Sequence, residues 1–420
     1  MRRTSIRGHT ILHQHTAQSN RKTSQLLTHT HTEAHPSIAD RPTGQPVRRS
    51  RLLSAANHSC QSMIFRIHAL AVATAALLVI RSVVRQRLET ADGAAQLSSA
   101  QLRVRNARGR TLAGVNGASN ARWVGPYCFV ALADPQLGML HGDKSWDEEL
   151  GMLHTAIDHI NRLTPAFVVV LGDLVNAFSL GPRKDAQAAA LKRALARIAP
   201  GVPLLLLPGN HDVGNAPGPD LLAWYGQHFG DDYYSVTIGG VRYVVLNSNF
   251  FADAQRVPTQ AAAQRAWLDE TLAAPLPHAG EIGGGRTVIF AHHPLFIGSA
   301  TEGPGYFNTR PEYRAELISK FEAAGVSDYM CGHFHRNAGG LARPGGLRCV
   351  VSAAVGTVLT GEGPDKLHLK GVGDLACGAK LSGLRLVHVL EDELRSKFFA
   401  LADVPEAFDA SSTDSSAGWT

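Results

Sequence analysis

Three continuous apolar runs, each ending in a short polar cluster, constrain the fold of this chain more than any other feature. The runs PYCFVALA, AFVVVL and VPLLLLP begin at Pro126, Ala166 and Val202. Strands that are apolar at every position are buried on both faces, as in parallel βαβ packing. Because open α/β sheets build sites at the carboxyl ends of their strands, the polar clusters are expected to share one edge.

Helical patterns separate the runs. Between 145 and 163, Leu150, Leu153, Ile157 and Ile160 recur at the spacing of one apolar helix face. Further helices are predicted at 185–198, 259–272 and 311–324, and a hairpin is predicted to turn at Gly239-Gly240. The chain is therefore predicted to be an α/β protein.

Basic charge is concentrated at the N-terminus. Residues 1–88 hold 13 Lys or Arg and two acids, which gives +11, although the whole chain has a net charge of only +6. The remainder is mildly acidic, so a nucleic-acid partner is not expected, because such a partner requires basic charge on the folded domain. Residues 1–121 are predicted to be a disordered extension and linker, and 404–420 a flexible tail.

Residues 63–85 form a short hydrophobic segment within that extension. Its uninterrupted apolar stretch, Ala69 to Ile80, is shorter than the about 20 residues that span a membrane. A signal or signal-anchor region, part of an Arg-rich transit segment and a hydrophobic helix in the tail all remain open. No stable membrane span is predicted. The five cysteines form no CxxC motif, which favours a reducing compartment and a cytoplasmic location for the folded part.

Five polar clusters at predicted strand ends carry the chemistry. They are Asp134-Pro-Gln136, Gly172-Asp173, Gly209-Asn210-His211-Asp212, His292-His293-Pro294 and Gly332-His333-Phe334-His335. Each is weak alone. Together they provide nitrogen and oxygen ligands without sulfur, a set suited to Mn, Fe, Zn or Mg.

The order of these clusters resembles the signature of the calcineurin-like metallophosphoesterase superfamily, D-x-[H/Q] … GD … GNH[DE] … H … GHxH. The match spans Pro126 to Ala402. Local patterns similar to one branch of the superfamily are Asp134-PQLG, Asp231-DYYS, Leu246-NSNF, Trp267-LDETL and Gly332-HFHRNAGG. The resemblance implies a β-sandwich of two mixed sheets flanked by helices, with a phosphoesterase domain at 122–403.

The resemblance also implies a dinuclear metal site. Asp173 would bridge both metals, with Asp134, Gln136 and His335 completing the first site and Asn210, His292 and His333 the second. A metal-bridging hydroxide would then attack phosphorus. His211 is assigned to stabilising or protonating the leaving alkoxide, with Asp212 orienting its imidazole. Many family members have His where this chain has Gln136, which predicts a preference for Mn or Fe over Zn.

The predicted substrate contacts are Arg336 and Asn337, which follow the ligand pair, and Asn308, in a Gly- and Pro-flanked loop with Tyr306. The expected activity is hydrolysis of phosphate monoesters by a monomer, with a phosphoprotein as one class of substrate. A phosphodiesterase on the same ligands and a non-catalytic, metal-stabilised scaffold remain alternatives.

Overall fold

The computed structural model describes residues 111–113, 121–276, 278–360 and 374–408. The hydrophobic segment at 63–85, nearly all of the predicted extension and most of the predicted C-terminal tail lie outside these ranges. None of the helices in the described ranges is long and apolar enough to cross a membrane.

The strands are β1 Thr111–Ala113, β2 Tyr127–Leu132, β3 Val168–Val170, β4 Leu204–Leu206, β5 Tyr234–Ile238, β6 Val241–Val245, β7 Arg286–Phe290, β8 Val326–Cys331, β9 Ala338–Leu341, β10 Arg348–Val351, β11 Val358–Thr360, β12 Asp374–Ala376, β13 Gly383–Val389 and β14 Leu394–Ala400. The helices are α1 Asp147–Leu163, α2 Pro182–Leu195, α3 Asn210–Val213, α4 Pro219–His228, α5 Asn249–Ala252, α6 Pro258–Ala273 and α7 Pro311–Ala323, with a short 3₁₀ helix at Leu401–Asp403.

Two large mixed sheets form the centre of the fold. One has the order β14-β13-β2-β3-β4 and the other β1-β5-β6-β7-β8-β10-β9. The three apolar runs of the sequence become β2, β3 and β4, which pair in parallel. The predicted sandwich of two mixed sheets flanked by helices is confirmed.

Alternate residues of β2 explain why its sequence is apolar throughout. Phe129 faces the second sheet and meets the edge of Tyr243 in β6 of that sheet. Its ring also stacks at 4.5 Å on Phe167, which directly precedes β3. Val130 and Leu132 point the other way, into a cluster that includes Ile157 of α1. Both faces of β2 are buried in apolar clusters, so a polar side chain within the strand would be buried without a hydrogen-bond partner.

Helix α1 buries the predicted apolar face, including Leu153, Ile157 and Ile160. It begins with three acids, Asp147, Glu148 and Glu149, which suit the positive end of the helix dipole. It ends at Thr164, whose left-handed backbone lets its N–H reach the carbonyl of Ile160.

Some elements differ from the sequence-based prediction. Helix α2 begins at Pro182 rather than 185, because proline fits the first helical turn. Helix α4, which also begins with proline, was not anticipated. Strands β11 and β12 form an antiparallel pair, and residues 361–373 between them lie outside the described ranges.

Candidate metal centre

The predicted metal ligands lie just beyond the carboxyl ends of five strands. Each follows its strand within a few positions and comes from β2, β3, β4, β7 or β8. All seven are at most 4% exposed. They are Asp134, Gln136, Asp173, Asn210, His292, His333 and His335.

The backbone is strained at most of these ligands. In the described part of the chain eight residues other than glycine have positive φ, and five of them are predicted ligands: Asp134, Gln136, Asp173, His333 and His335. A left-handed backbone costs about 1–3 kcal/mol for such residues and persists where the surroundings hold it, commonly at functional sites. The strain is concentrated where the side chains converge.

Two groups of ligands share one carboxylate. Asp173, His292 and His333 form one group, and Asp134, Asp173 and His335 the other, with the ligand atoms of each group within 4.8 Å of one another. The Nε2 of His292 lies 3.4 Å from Oδ2 of Asp173, and the Nε2 of His335 lies 3.7 Å from Oδ1 of Asp134. Because Asp173 belongs to both groups, the arrangement suits two adjacent ions.

Each histidine has one ring nitrogen held by a backbone carbonyl. The Nδ1 of His292 lies 2.9 Å from Leu171 O, and the Nδ1 of His335 2.6 Å from Thr357 O. His333 is reversed, with Nε2 3.1 Å from Tyr306 O. These carbonyls place a proton on the outer nitrogen, so the inner nitrogen is the one that faces the other ligands and would bind a metal.

The two amide ligands also direct oxygen inward. The Nε2 of Gln136 donates to Oδ1 of Asn176 at 3.0 Å, whereas its Oε1 is buried and accepts no hydrogen bond from any described group. Asn210 donates through Nδ2 to Asn215 and to the Tyr306 hydroxyl. Since a buried polar atom without a partner is costly, the free oxygen of Gln136 fits a metal ligand.

Electrostatics favours positive charge in the centre. Burial alone would lower the pKa of His292, but the Asp173 carboxylate raises that pKa to about 9. Burial raises the pKa of Asp134 well above its usual range, since its charge is poorly solvated. Burial lowers the pKa of His335 to about 4, which keeps it neutral as a ligand must be. The residues therefore fit a cation-binding site.

Two glycines allow the backbone to approach the carboxylates. A Cβ on Gly209 would overlap the side chain and backbone of Asp173. A Cβ on Gly332 would lie 2.5 Å from Oδ2 of Asp134. Only glycine can occupy these two positions without displacing a ligand.

His211 lies beside the two groups but its contacts differ from the expected ones. Its Nδ1 lies 2.6 Å from the carbonyl oxygen of Asn176, and its ring is 3.9 Å from that of Phe178. Asp212 instead accepts hydrogen bonds from the backbone N–H groups of Leu174, Val175 and Gly209. The contact that orients the imidazole is therefore a backbone carbonyl, and Asp212 holds the loop after β3.

The three predicted substrate contacts are engaged within the protein. Asn308 donates to Glu302 Oε1 at 2.7 Å and accepts from Gly305 N. The Nε of Arg336 donates to Leu359 O, and Oδ1 of Asn337 accepts from Arg385. These contacts occupy both the oxygen and the NH2 group of Asn308, whereas the Asn337 contacts with described residues are made by its amide oxygen. The role of the three residues toward substrate stays a prediction.

Several residues around the centre were not predicted from the sequence. Asn176 contacts both Gln136 and His211. Tyr306, which was expected only to share a loop with Asn308, contacts Asn210 and His333. Lys184 is fully buried and donates to the carbonyl oxygens of Ala177 and His211. Nothing in the local sequence marks a lysine of a helix as buried.

The chain matches a known protein family. Residues 129–337 match the family model described as calcineurin-like phosphoesterase. The chain is 36% identical to serine/threonine-protein phosphatase CPPED1 of Bos taurus over 311 residues, which covers 71% of this chain and 92% of the bovine protein. It is 36% identical to the protein of the same name from Danio rerio, over 71% of this chain and 93% of that one.

Among solved structures, purple acid phosphatase PPD1 from yellow lupin (Lupinus luteus) is similar with a TM-score of 0.48 and 16% identity. That similarity covers 67% of this chain and 52% of the lupin chain. The sequence relatives, rather than this similarity, confirm the resemblance that was drawn from the motifs.

Proposed function

The chain belongs to the calcineurin-like phosphoesterase family, and from that premise we propose that it is a metal-dependent phosphatase that hydrolyses phosphate monoesters on serine and threonine side chains of proteins. The observation that carries the proposal is the single carboxylate of Asp173 shared by two buried ligand groups. The two relatives named serine/threonine-protein phosphatase support the choice of substrate.

The residues would hold two metal ions in adjacent positions. Asp134, Gln136, Asp173 and His335 would hold the first, and Asp173, Asn210, His292 and His333 the second. Two such ions, when bound, supply positive charge that lowers the pKa of water towards neutrality and neutralises phosphoryl oxygens. Because Gln136 offers a neutral oxygen where imidazole is common, Mn or Fe is proposed for the first position in preference to Zn.

His211 is proposed to deliver a proton to the leaving oxygen. The Asn176 carbonyl lies against Nδ1 and fixes the proton of that atom, so Nε2 is the atom available to the leaving group. Burial lowers the pKa of His211, while the nearby Asp173 charge acts to raise it. The net shift of the pKa is downward, so an imidazolium formed at this position gives up its proton readily.

The family scaffold also serves diester hydrolysis, so the experiment must separate the two reactions. The full-length protein would be stripped of metal and assayed with phenyl phosphate, a bis-aryl diester and a phosphoserine peptide after addition of Mn, Fe, Zn or Mg. We expect metal-dependent hydrolysis of the two monoesters, and its loss in Asn210→Ala. Faster diester cleavage would contradict the proposed substrate class, and inactivity with bound metal would favour the scaffold alternative.

A cytoplasmic location is part of the proposal. All four cysteines in the described ranges are free, and three of them, Cys128, Cys331 and Cys349, are buried. Free thiols agree with a reducing compartment. A fluorescent fusion of residues 1–100 is expected to stay in the cytoplasm, and its movement to an organelle or membrane would contradict this location.

A further inference from the structure

A cleft opens beside His211. Its volume is about 460 Å³, within the roughly 300–1,000 Å³ of ligand pockets and larger than a phosphate group requires. One wall is a continuous stretch of chain between β3 and α2. The lining residues are Asp143, Asn176, Ala177, Phe178, Ser179, Leu180, Gly181, Pro182, Arg183 and His211.

The base of this wall is held by buried polar side chains of α2. Lys184 and Gln187 are both fully buried. The Nζ of Lys184 donates to Ala177 O at 2.7 Å and to His211 O at 2.6 Å. Gln187 Oε1 accepts from the backbone N–H groups of Asn176 and Ala177. Four hydrogen bonds thus fix the wall relative to His211, so the cleft is a preformed part of the site.

The outer part of the wall is apolar and open to solvent. Phe178 is 39% exposed and Leu180 is 44% exposed, and they are two of seven large hydrophobic residues that are exposed in the described ranges. It is unusual for one short segment next to a proposed catalytic histidine to expose two such side chains, because contact of each with water is unfavourable. A ligand that covered them would gain that free energy.

One cation lies at the rim. Arg183 is exposed and forms no ion pair with any residue that the structure describes. The carboxylate in the cleft, Asp143, is engaged, since its Oδ1 accepts from Asn176 Nδ2 at 2.8 Å and from Gln187 Nε2 at 2.7 Å. The group left for a charged partner is therefore the guanidinium, which pairs best with a carboxylate or phosphate.

We propose that this cleft binds the peptide that flanks the phosphorylated hydroxyl, with a bulky apolar side chain against Phe178 and Leu180 and an acidic residue paired with Arg183. The inference rests on the proposed function and deepens it, because His211 would protonate the leaving oxygen and the leaving group must then lie on the His211 side. The occupant is a phosphopeptide with an apolar residue next to phosphoserine and an acid nearby.

The test uses the full-length, metal-loaded protein and three substrates. They are a phosphoserine peptide with flanking leucine and glutamate, the same peptide with both flanking residues changed to glycine, and phenyl phosphate. Leu180→Ser is expected to lower kcat/KM about tenfold for the first peptide and to leave the glycine-flanked peptide unchanged. Leu381→Ser is the matched control, because Leu381 is also 44% exposed and lies outside the cleft lining.

Arg183→Gln gives a second readout. It is expected to lower kcat/KM several-fold for the acidic peptide at low ionic strength, and less at high salt, since exposed charge pairs are screened. Equal kcat/KM for the two peptides in the wild-type protein, or no effect of either cleft variant, would overturn the inference while leaving the phosphatase proposal intact. Failure to hydrolyse any of the three substrates with any metal would instead remove the proposed function, and this inference with it.

Discussion

The Nδ1 atom of His211 lies 2.6 Å from the carbonyl oxygen of Asn176, a residue 35 positions earlier in the chain. The side chain of the same asparagine accepts a hydrogen bond from Gln136 at 3.0 Å. Asn176 therefore connects the proposed proton donor to a proposed ligand of the first metal. Because the carbonyl lies against Nδ1, Nε2 is the ring nitrogen left for the leaving group in the proposed mechanism.

Replacement of His211 tests this arrangement. His211→Ala is expected to lower kcat for phosphoserine about 100-fold or more, in the range of general acid catalysis. The loss should be much smaller for p-nitrophenyl phosphate, because nitrophenolate leaves without help from a proton. Steady-state kinetics with both substrates measures the difference, and equal losses would argue that His211 serves only to position the substrate.

Gly209→Ala tests the contact between the backbone and the shared carboxylate. The new Cβ would overlap Asp173, so we expect loss of metal and a decrease of about 1–3 kcal/mol in the free energy of unfolding. Gly226→Ala is the control, because it lies in α4 with open space around its Cβ position. That change is expected to stabilise the protein by about 0.5–1 kcal/mol. Full metal content in Gly209→Ala would contradict the packing described here.

Lys184→Met removes the donor of two hydrogen bonds that hold the cleft. The carbonyls of Ala177 and His211 would be left without that partner, so the free energy of unfolding is expected to fall by about 2 kcal/mol. The exposed Lys380 provides the control, with a change of less than about 0.5 kcal/mol in Lys380→Met. Denaturant unfolding measures both, and equal stability of the two variants would show that the buried ammonium is not structural.

Glu302 is expected to make the stability of the folded protein depend on pH. Burial alone would raise the pKa of this carboxyl, but hydrogen bonds from Asn308 and from backbone N–H groups outweigh it and hold the pKa below the usual 4.5. The ionised group therefore stabilises the folded protein above pH 4.5, and this stabilisation is lost as the pH falls through the lowered pKa. Glu302→Gln is expected to destabilise the protein at pH 7 and much less at pH 3.

The free energies of unfolding of wild-type and Glu302→Gln protein should be compared in the absence of metal. Release of metal by acid then does not change the measured difference. Glu316→Gln is a control, because Glu316 pairs on the surface, where a salt bridge contributes little. A difference between wild-type and Glu302→Gln protein that stayed constant from pH 3 to pH 7 would contradict the assignment.

The elements that place the site could be predicted from the sequence because their signals are local. The apolar runs before Asp134, Asp173 and Asn210 specify doubly buried strands, and the structure has all three as parallel neighbours. Parallel pairing then brings their carboxyl ends together. The order of ligand types along the chain was sufficient to indicate the family.

The partners of individual side chains could not be predicted in the same way. Asp212 follows His211 directly, yet it accepts backbone hydrogen bonds from the loop at 174–175, while His211 contacts Asn176. Likewise, Arg336 lies beside a ligand pair but donates to Leu359, 23 positions away. Which acceptor a side chain reaches depends on how distant loops pack, and the local sequence does not indicate this packing.

The most direct test of the central claim is a titration of metal-free protein in which bound metal and phosphomonoester hydrolysis are measured on the same samples. The wild-type chain is expected to bind two ions and to gain activity only as the second is bound. Asp173→Asn should bind less metal and lose activity at least 100-fold, because the carboxylate shared by both groups is gone. Full activity with one ion per chain, or in Asp173→Asn, would contradict a dinuclear site built around Asp173.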